Sequence, residues 1–317
     1  MAAEATPKPT EALLPDLSVE FCGIRFKNPV IAASGTFGYG IEFEDIVHLD
    51  KLGGFVVKGL SREPMAGNPP PRIFETAAGM LNSIGLQNIG VKAFLEEKLP
   101  KLRRKKDIVV IANVFGYTRE DYQAVTRALN EGEGIAAYEI NVSCPNTKHG
   151  GIIFGCDPVM LEDIVSTVKS AATRPVIVKL SPNVTSIARM ARAAETAGAD
   201  AISLVNTFVA MAIDAETRKP RISNVTAGLS GPAIKPIALR MVYEAAHSVD
   251  IPVIGMGGVT SATDVVVFLL AGAAAVEVGT ANYFDPVATE KIVDELSRWC
   301  IAHRVGRITD LIGALDQ

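Results

Sequence analysis

The sequence is short of the features that mark disulfide scaffolds, metal sites and nucleic-acid binders. Its four cysteines include no C-x-x-C pair, which argues against a disulfide framework and against a zinc or iron–sulfur site built from this chain alone. The four histidines are scattered and do not predict a metal site. No basic block stands out, and the formal net charge is −4, so we expect no nucleic-acid partner.

Long hydrophobic runs are also missing. The longest, VVVFLLAGAAAV at residues 265–276, is well short of the roughly 18 residues that a membrane span needs, and we interpret it as a buried helix leading into a strand. Residues 1–16 carry acidic side chains and prolines without a basic-then-apolar pattern, so we expect a flexible tail rather than a signal peptide or a membrane anchor. A reducing cytoplasm is the expected location.

The 317 residues alternate between short apolar runs and helix-length amphipathic segments. Near-continuous apolar strands are typical of parallel sheets that are covered on both faces. Eight such runs occur: PVIAASG from residue 29, GGFVVKG from 53, DIVVIANV from 107, AAYEINVSC from 136, PVIVKLSPN from 175, DAISLVNT from 200, PVIGMGG from 252 and AAVEVGTAN from 274.

Helices are predicted over residues 119–130, 158–172, 186–197, 235–247 and 261–271. Eight strand–helix units favour an α/β fold of the (β/α)₈ TIM-barrel type, forming one catalytic domain over residues 17–317. The alternating segment LSVEFCGIRFKNP predicts a short N-terminal β-hairpin below the barrel. Residues 61–90 hold too much Pro and Gly for one helix, so we expect an inserted loop over the C-terminal face.

The carboxyl ends of barrel strands line the active sites of such folds. Lys58 and Lys179 each follow a β-branched run, and a lysine pointing into a barrel needs a facing anion unless it reaches solvent. Together the predicted strand ends describe a polar, cationic pocket: Ser34, Lys58, Asn113, Asn141, Cys144, Lys179, Asn206, Thr207, Gly257, Gly258, Gly279 and Thr280.

Glycines and asparagines add to this pocket. The segment IGMGGVTSATD places glycines between a strand and a helix start, where backbone N–H groups can seat a phosphate, although tight turn packing is the simpler alternative. Repeated asparagines suit a planar ligand with alternating donors and acceptors, whereas a single one is usually a turn former. Cys144 is either a core residue at a strand end or a reactive thiol, and His149 either a loop residue or its proton partner.

With these segments placed, the chain resembles the dihydroorotate dehydrogenases, flavin enzymes of pyrimidine synthesis. The resemblance runs from about residue 17 to the C-terminus. It rests on NPVIAASGTFGYG, GNPPPRIFETAAGMLNSIGLQNIG, NVSCPNTKHGG, VKLSPNVT, GLSGPAIKP and IGMGGV, which occur in this order. The segments CPNTKHGG, FGCDP and NSIGLQN are similar to the branch that pairs with an iron–sulfur flavoprotein and passes electrons to NAD.

The resemblance implies roles for individual residues. Cys144 matches the catalytic base that removes the C5 proton of dihydroorotate, while FMN takes the C6 hydride. The residues that match the orotate-binding segments are Lys58, Asn82, Ser83, Ile84, Gly85, Leu86, Asn141, Asn206 and Thr207. Those that match the FMN-binding segments are Ser34, Lys58, Gly59, Asn113, Asn141, Lys179, Val205, Gly231, Gly257, Gly258, Gly279 and Thr280. No metal ligand is expected on this chain.

The resemblance also implies a partner, because the chain has neither a cysteine cluster for an iron–sulfur centre nor a G-x-G-x-x-G that opens a Rossmann unit. FAD and a [2Fe-2S] cluster are expected on that partner subunit, in a heterotetramer around a homodimer of this chain. Two alternatives stay open: a fumarate-dependent homodimeric dihydroorotate dehydrogenase, and a (β/α)₈ phosphosugar isomerase without redox chemistry. A non-catalytic scaffold role gives no reason for two pocket lysines and a thiol.

Overall fold

The computed structural model describes residues 14–142 and 154–316; Cys144 and His149 lie outside the described residues. The strands of this part of the chain are β1 Val19–Phe21, β2 Ile24–Phe26, β3 Val30–Ala32, β4 Gly54–Val56, β5 Ile73–Thr76, β6 Gly79–Asn82, β7 Val110–Val114, β8 Ile135–Asn141, β9 Val176–Lys179, β10 Ala201–Leu204, β11 Phe208–Ala210, β12 Ile213–Asp214, β13 Lys219–Pro220, β14 Ala227–Ser230, β15 Val253–Met256 and β16 Ala275–Val278.

Eight parallel strands close into a barrel in the order β3, β4, β7, β8, β9, β10, β15 and β16, with β16 pairing back to β3. Seven barrel strands fall within the predicted apolar runs and β8 begins one residue before its run, so the predicted (β/α)₈ fold is confirmed. Most barrel strands are buried along their whole length, because the interior packs one face and the helices cover the other.

Helices surround the barrel, and the five that were predicted begin within one residue of their expected starts. They are α1 Gly90–Ala93, α2 Leu99–Leu102, α3 Arg119–Asn130, α4 Pro158–Ala171, α5 Ile187–Thr196, α6 Lys235–Ala246, α7 Ala262–Leu270, α8 Ala281–Phe284 and α9 Ala288–Ala302. A π-helical segment, Phe94–Lys98, joins α1 to α2, and 3₁₀ turns occupy Ile41–Phe43, Leu49–Lys51, Phe154–Cys156, Pro232–Ile234 and Ile308–Leu311. The starts of α3, α5 and α7 are fixed by side-chain caps from Thr118, Ser186 and Ser261.

The N-terminal hairpin predicted from alternation is the antiparallel pair β1 and β2. Phe21 and Phe26 stack at 4.3 Å between ring centroids on its buried face. The Cys22 thiol at its turn donates to the backbone carbonyl of Asp200, which directly precedes β10. The hairpin therefore lies against the amino-terminal ends of the barrel strands, opposite the predicted pocket.

The segment predicted as an inserted loop is more ordered than expected, since it contains the hairpin β5 and β6. β6 pairs with β14, and β14 pairs with β11, so four strands from two separate insertions form one antiparallel sheet in the order β11, β14, β6, β5. A two-stranded ribbon of β12 and β13 extends from it. This sheet supplies residues to the mouth of the barrel.

Candidate active site

A cleft opens at the carboxyl ends of the barrel strands and continues beneath the antiparallel sheet. It encloses about 1260 Å³ of space, counting the solvent at its mouth. All eight barrel strands, or the residues just after them, contribute to its lining, as the position of active sites in (β/α)₈ barrels predicts.

Most of the residues predicted for the site meet in this one cleft. Those that line it are Ser34, Lys58, Gly59, Asn82, Ile84, Gly85, Leu86, Asn113, Asn141, Lys179, Val205, Asn206, Thr207, Gly231, Gly257, Gly258, Gly279 and Thr280. Ser83 does not line it: the residue is fully buried, and its hydroxyl accepts hydrogen bonds from the amides of Asn68 and Asn224. Ser83 thus ties β6 to neighbouring loops. The predicted base, Cys144, lies outside the described residues.

The floor of the cleft holds three charged side chains that come from three barrel strands. The ammonium of Lys179, at the end of β9, lies 3.6 Å from a carboxyl oxygen of Glu139 on β8 and 3.6 Å from one of Glu277 on β16. Lys179 is 6% exposed, Glu139 is fully buried and Glu277 is 1% exposed. Two carboxyl groups therefore share one lysine where water has little access.

The two carboxyl groups have different surroundings. Glu139 accepts hydrogen bonds from the Asn113 amide at 2.6 Å and from the Ser203 hydroxyl at 2.8 Å. Both oxygens of Glu277 are buried without a hydrogen bond from the described residues. Burial, followed by the nearby Glu139 carboxyl, raises the pKa of Glu277 well above its usual value, although Lys179 opposes this. Burial lowers the pKa of Lys179, but the two carboxyl groups outweigh it and raise that pKa overall.

Lys58 lines the same cleft just after the end of β4. Its backbone N–H donates to the carbonyl of Gly38 at 2.7 Å, which fixes the end of β4 against the loop after β3. The Ser34 hydroxyl in that loop donates to the Val57 carbonyl at 2.8 Å. Gly35 in the same loop has a φ of 85°, which favours glycine, and a side chain there would begin at an ordinary contact distance, 3.5 Å, from the Lys58 ammonium.

The Gly257–Gly258 turn, in the segment predicted to seat a phosphate, lies at the end of β15 and lines the cleft together with Gly231 after β14 and Thr280 after β16. Gly258 adopts a φ of 76°, and a side chain there would begin 2.8 Å from the carbonyl oxygen of Gly231. The Thr280 hydroxyl donates to that of Ser230 at 2.8 Å, joining two of these strand ends. Behind them, Asp264 accepts from the backbone N–H and hydroxyl of Thr260, both at 2.9 Å, and pairs with Lys235.

Amide side chains line the middle of the cleft. Asn206 donates to the Asn141 side-chain oxygen at 3.2 Å, and the buried Tyr122 hydroxyl donates to the Asn141 carbonyl at 2.7 Å. Because the Asn113 amide N–H faces Glu139, its side-chain oxygen is left buried without a hydrogen-bond partner in the described part of the chain. That oxygen can accept from a ligand N–H group.

Sequence reasoning missed several cleft residues, among them Met80, Ser230, Glu277 and Tyr283. Ser230 and Glu277 stand inside segments recognised as significant, GLSGPAIKP and EVGTAN, but one polar residue in a strand does not reveal its partner. Within residues 14–142 and 154–316, no group of three or more His, Cys, Asp or Glu side chains could hold a metal ion. In the same residues, no helix is long and apolar enough to cross a membrane.

A (β/α)₈ barrel with two lysines, clustered amides and a glycine turn at one mouth is the architecture of a barrel enzyme, because the active sites of this fold lie at that end. A family model described as dihydroorotate dehydrogenase matches residues 16–299. The chain therefore belongs to the dihydroorotate dehydrogenase family, which sets aside the phosphosugar isomerase alternative.

Individual relatives support the assignment. The chain is 60% identical to a protein of Solibacter usitatus named putative dihydroorotate dehydrogenase A (fumarate), over 96% of this chain and 99% of that protein. It is 54% identical to a Geobacter metallireducens protein named dihydroorotate dehydrogenase B (NAD(+)), catalytic subunit, over 95% and 99%. A crystal structure of a dihydroorotate dehydrogenase from Eimeria tenella in complex with ferulenol shares the fold, with a TM-score of 0.79, 23% identity and coverage of 98% and 91%.

Proposed function

We propose that this chain is the FMN-containing catalytic subunit of an NAD-linked dihydroorotate dehydrogenase, which oxidises dihydroorotate to orotate in pyrimidine synthesis. The observation that carries the proposal is the meeting of Lys58, Lys179 and the Gly257–Gly258 turn in one cleft of a dihydroorotate dehydrogenase fold. This cleft offers positive charge and amides for a planar anion at one end and backbone N–H groups for a phosphate at the other.

The residues present fit FMN. The buried acceptor oxygen of Asn113 matches a ring N–H group, and the Lys179 ammonium can face an electron-rich ring edge. The turn at Gly257 and Gly258 leaves backbone rather than side chains facing the cleft, which suits a phosphate. We assign the remaining cofactor contacts to the residues that match the family's FMN segments: Ser34, Lys58, Gly59, Asn141, Val205, Gly231, Gly279 and Thr280.

Dihydroorotate would bind beside the ring under the antiparallel sheet. Asn82, at the end of β6, and the turn residues Ile84, Gly85 and Leu86 form that wall, while Asn141, Asn206 and Thr207 approach from the barrel. Lys58 supplies a positive charge for the substrate carboxylate. Ser83 contributes indirectly, since its hydroxyl holds Asn68 and Asn224 against the strand that presents Asn82.

The reaction breaks a C–H bond at C5 and another at C6 and forms the C5–C6 double bond of orotate. When bound, FMN supplies the two-electron acceptor for the C6 hydride. We assign removal of the C5 proton to the Cys144 thiolate, on the basis of the NVSCPNTKHGG resemblance. Positive charge beside a thiol lowers its pKa from about 8.5, which favours the thiolate. Lys58 and Lys179 provide the positive charge that opposes the build-up of negative charge in the cleft.

The electron acceptor is the second part of the proposal. The names of the relatives differ, since the protein that is 60% identical is named for fumarate and several that are 51–54% identical are named for NAD(+). The term catalytic subunit in those names supports a partner subunit, and we propose that it carries FAD and a [2Fe-2S] cluster around a homodimer of this chain. A fumarate-dependent homodimer is the second candidate, favoured by the 60% identical relative.

An acceptor assay separates the two candidates. The purified chain is mixed with dihydroorotate and either fumarate alone or NAD⁺ together with an iron–sulfur flavoprotein subunit from the same source. Orotate formation that requires both NAD⁺ and the partner supports the proposal. Turnover with fumarate alone at a comparable rate contradicts the NAD linkage, and no orotate with either acceptor contradicts the activity itself.

A further inference from the structure

We propose that Glu277 is a positioning residue that holds Lys179 at the cleft floor as a neutral carboxyl group and, on losing its proton, weakens the positive charge that Lys179 presents to the bound flavin. This inference rests on the proposed function, because it concerns the ligand that the cleft would hold. Neither the sequence motifs nor the family resemblance predicts a role for Glu277.

The barrel interior holds two carboxyl groups and one ammonium group in a buried cluster. Glu139, Lys179 and Glu277 lie within ion-pair distance across the barrel interior, and each is at most 6% exposed. One ammonium can balance one carboxylate, so two ionised carboxyl groups would leave an uncompensated buried negative charge. Such a charge is strongly unfavourable away from water, and a group in this position holds a proton instead.

The hydrogen bonds around Glu139 and Glu277 indicate which of the two carboxyl groups holds the proton. Glu139 has two hydrogen-bond donors in addition to Lys179, namely the Asn113 amide and the Ser203 hydroxyl. Such donors stabilise a carboxylate. Lys179 lies 3.6 Å from each carboxyl group, but neither oxygen of Glu277 has a hydrogen-bond partner in the described residues. The surroundings therefore favour the neutral form of Glu277.

The proton on Glu277 affects the charge that a ligand in the cleft would meet. Lys179 and Glu277 both line the cleft, so their charges act on whatever occupies it. In the described chain, Glu277 faces Glu139 and Lys179 across the barrel interior, and Lys58, just after β4, lines the same cleft. While Glu277 is neutral, the three groups at the floor carry no net charge. Its ionisation adds a negative charge beside Lys179 and disfavours a reduced, electron-rich flavin.

The test is the two-electron midpoint potential of bound FMN, measured by anaerobic dye equilibration between about pH 5 and about pH 9. Glu277→Gln keeps the size of the side chain and cannot ionise. Glu290→Gln is the matched control, because Glu290 pairs with His48 and Lys51 on the outside of the barrel and does not line the cleft. All three proteins share their other titrating groups. A difference between two of their curves of midpoint potential against pH therefore comes from the substituted residue.

We expect wild-type protein and Glu277→Gln to agree at the acidic end and to separate as pH rises, with the wild-type reduction equilibrium about tenfold less favourable at the alkaline end. That factor corresponds to about 30 mV for a two-electron couple. Glu290→Gln should follow the wild-type curve throughout.

Two results would overturn the inference, and they can be told apart. If FMN binds and is reduced by dihydroorotate, but the wild-type and Glu277→Gln curves stay parallel over the whole range, the role of Glu277 is wrong while the proposed function stands. If the wild-type chain binds no flavin, both proposals fail.

Discussion

Tyr122 holds the end of β8 through a hydrogen bond from its hydroxyl to the backbone carbonyl of Asn141 at 2.7 Å. Tyr122 lies on α3, outside the barrel, and is 1% exposed. Asn141 lines the cleft, and Cys144 follows it by three residues. A helix residue thus fixes the strand end on which the proposed substrate contacts depend.

Tyr122→Phe should remove this bond while keeping the ring. Losing one hydrogen bond and leaving a carbonyl without its partner should lower the free energy of unfolding by about 1–3 kcal/mol. The strand end should also become less well positioned, so we expect weaker orotate binding, measured by calorimetry on the flavin-loaded protein.

Tyr138→Phe is the control for that experiment. Tyr138 lies on β8 itself, and its hydroxyl contacts Asn130 and Arg174, away from the cleft. We expect a similar loss of stability with unchanged orotate affinity. Equal effects of the two substitutions on orotate binding would show that Tyr122 acts only on overall stability.

Gly258→Ala tests the phosphate seat. The added methyl would begin 2.8 Å from the Gly231 carbonyl oxygen, at a φ of 76° that disfavours a side chain. The turn must shift, so we expect the affinity of the apoprotein for FMN to fall at least about tenfold, the effect of roughly 1.4 kcal/mol. Quenching of flavin fluorescence on binding measures this affinity. Gly306→Ala is the control, because nothing lies within 4 Å of the place where its methyl group would stand, and it should bind FMN normally. Equal FMN affinities of the two variants would contradict the assignment of the phosphate seat.

Lys179→Met should be strongly destabilising, because it leaves Glu139 and Glu277 close together without the cation. Breaking a buried ion pair by removing one partner lowers stability by about 3–5 kcal/mol. If Glu277 holds a proton, adding Glu277→Gln to Lys179→Met should restore little, whereas adding Glu139→Gln should restore more. Urea unfolding of the single and double variants measures the difference, and the reverse order would contradict the assignment of the proton.

The raised pKa of Glu277 also predicts how stability depends on pH. Above its usual value of 4.5, the unfolded chain releases this proton while the folded chain keeps it, so the folded state loses stability as pH rises. The loss is at most about 1.4 kcal/mol per pH unit until the folded pKa is passed. Glu277→Gln lacks this loss and should gain stability relative to wild type as pH increases from about 5. Parallel urea-unfolding profiles for the two proteins would show that the pKa of Glu277 is not raised.

The barrel could be predicted from sequence because its strands are buried on both faces, which leaves continuous apolar runs such as VIANV in β7. The apolar run at 265–276 likewise proved to be α7 leading into β16. The antiparallel sheet over the mouth gave no such signal. β5 and β14 are short and only partly buried. β6 pairs locally with β5, but its other partner, β14, comes from a distant insertion and is not indicated by the local sequence.

The site was predictable where residues occupy strand ends, as Lys58 and Lys179 do. The interaction between Lys179 and Glu277 was not, because it joins β9 and β16 across the barrel interior. Ser83 stands within a motif that lines the cleft, yet the residue, which directly follows β6, is fully buried and does not line it. Sequence identified the motif but not the face of each residue.

The most direct test of the central claim is the absorbance spectrum of the purified chain, recorded anaerobically before and after adding dihydroorotate. We predict an oxidised flavin spectrum that bleaches on addition, with formation of orotate, and bleaching slowed by orders of magnitude in Cys144→Ala although FMN remains bound. A chain that carries no flavin, or whose flavin spectrum does not change with dihydroorotate, would contradict the account.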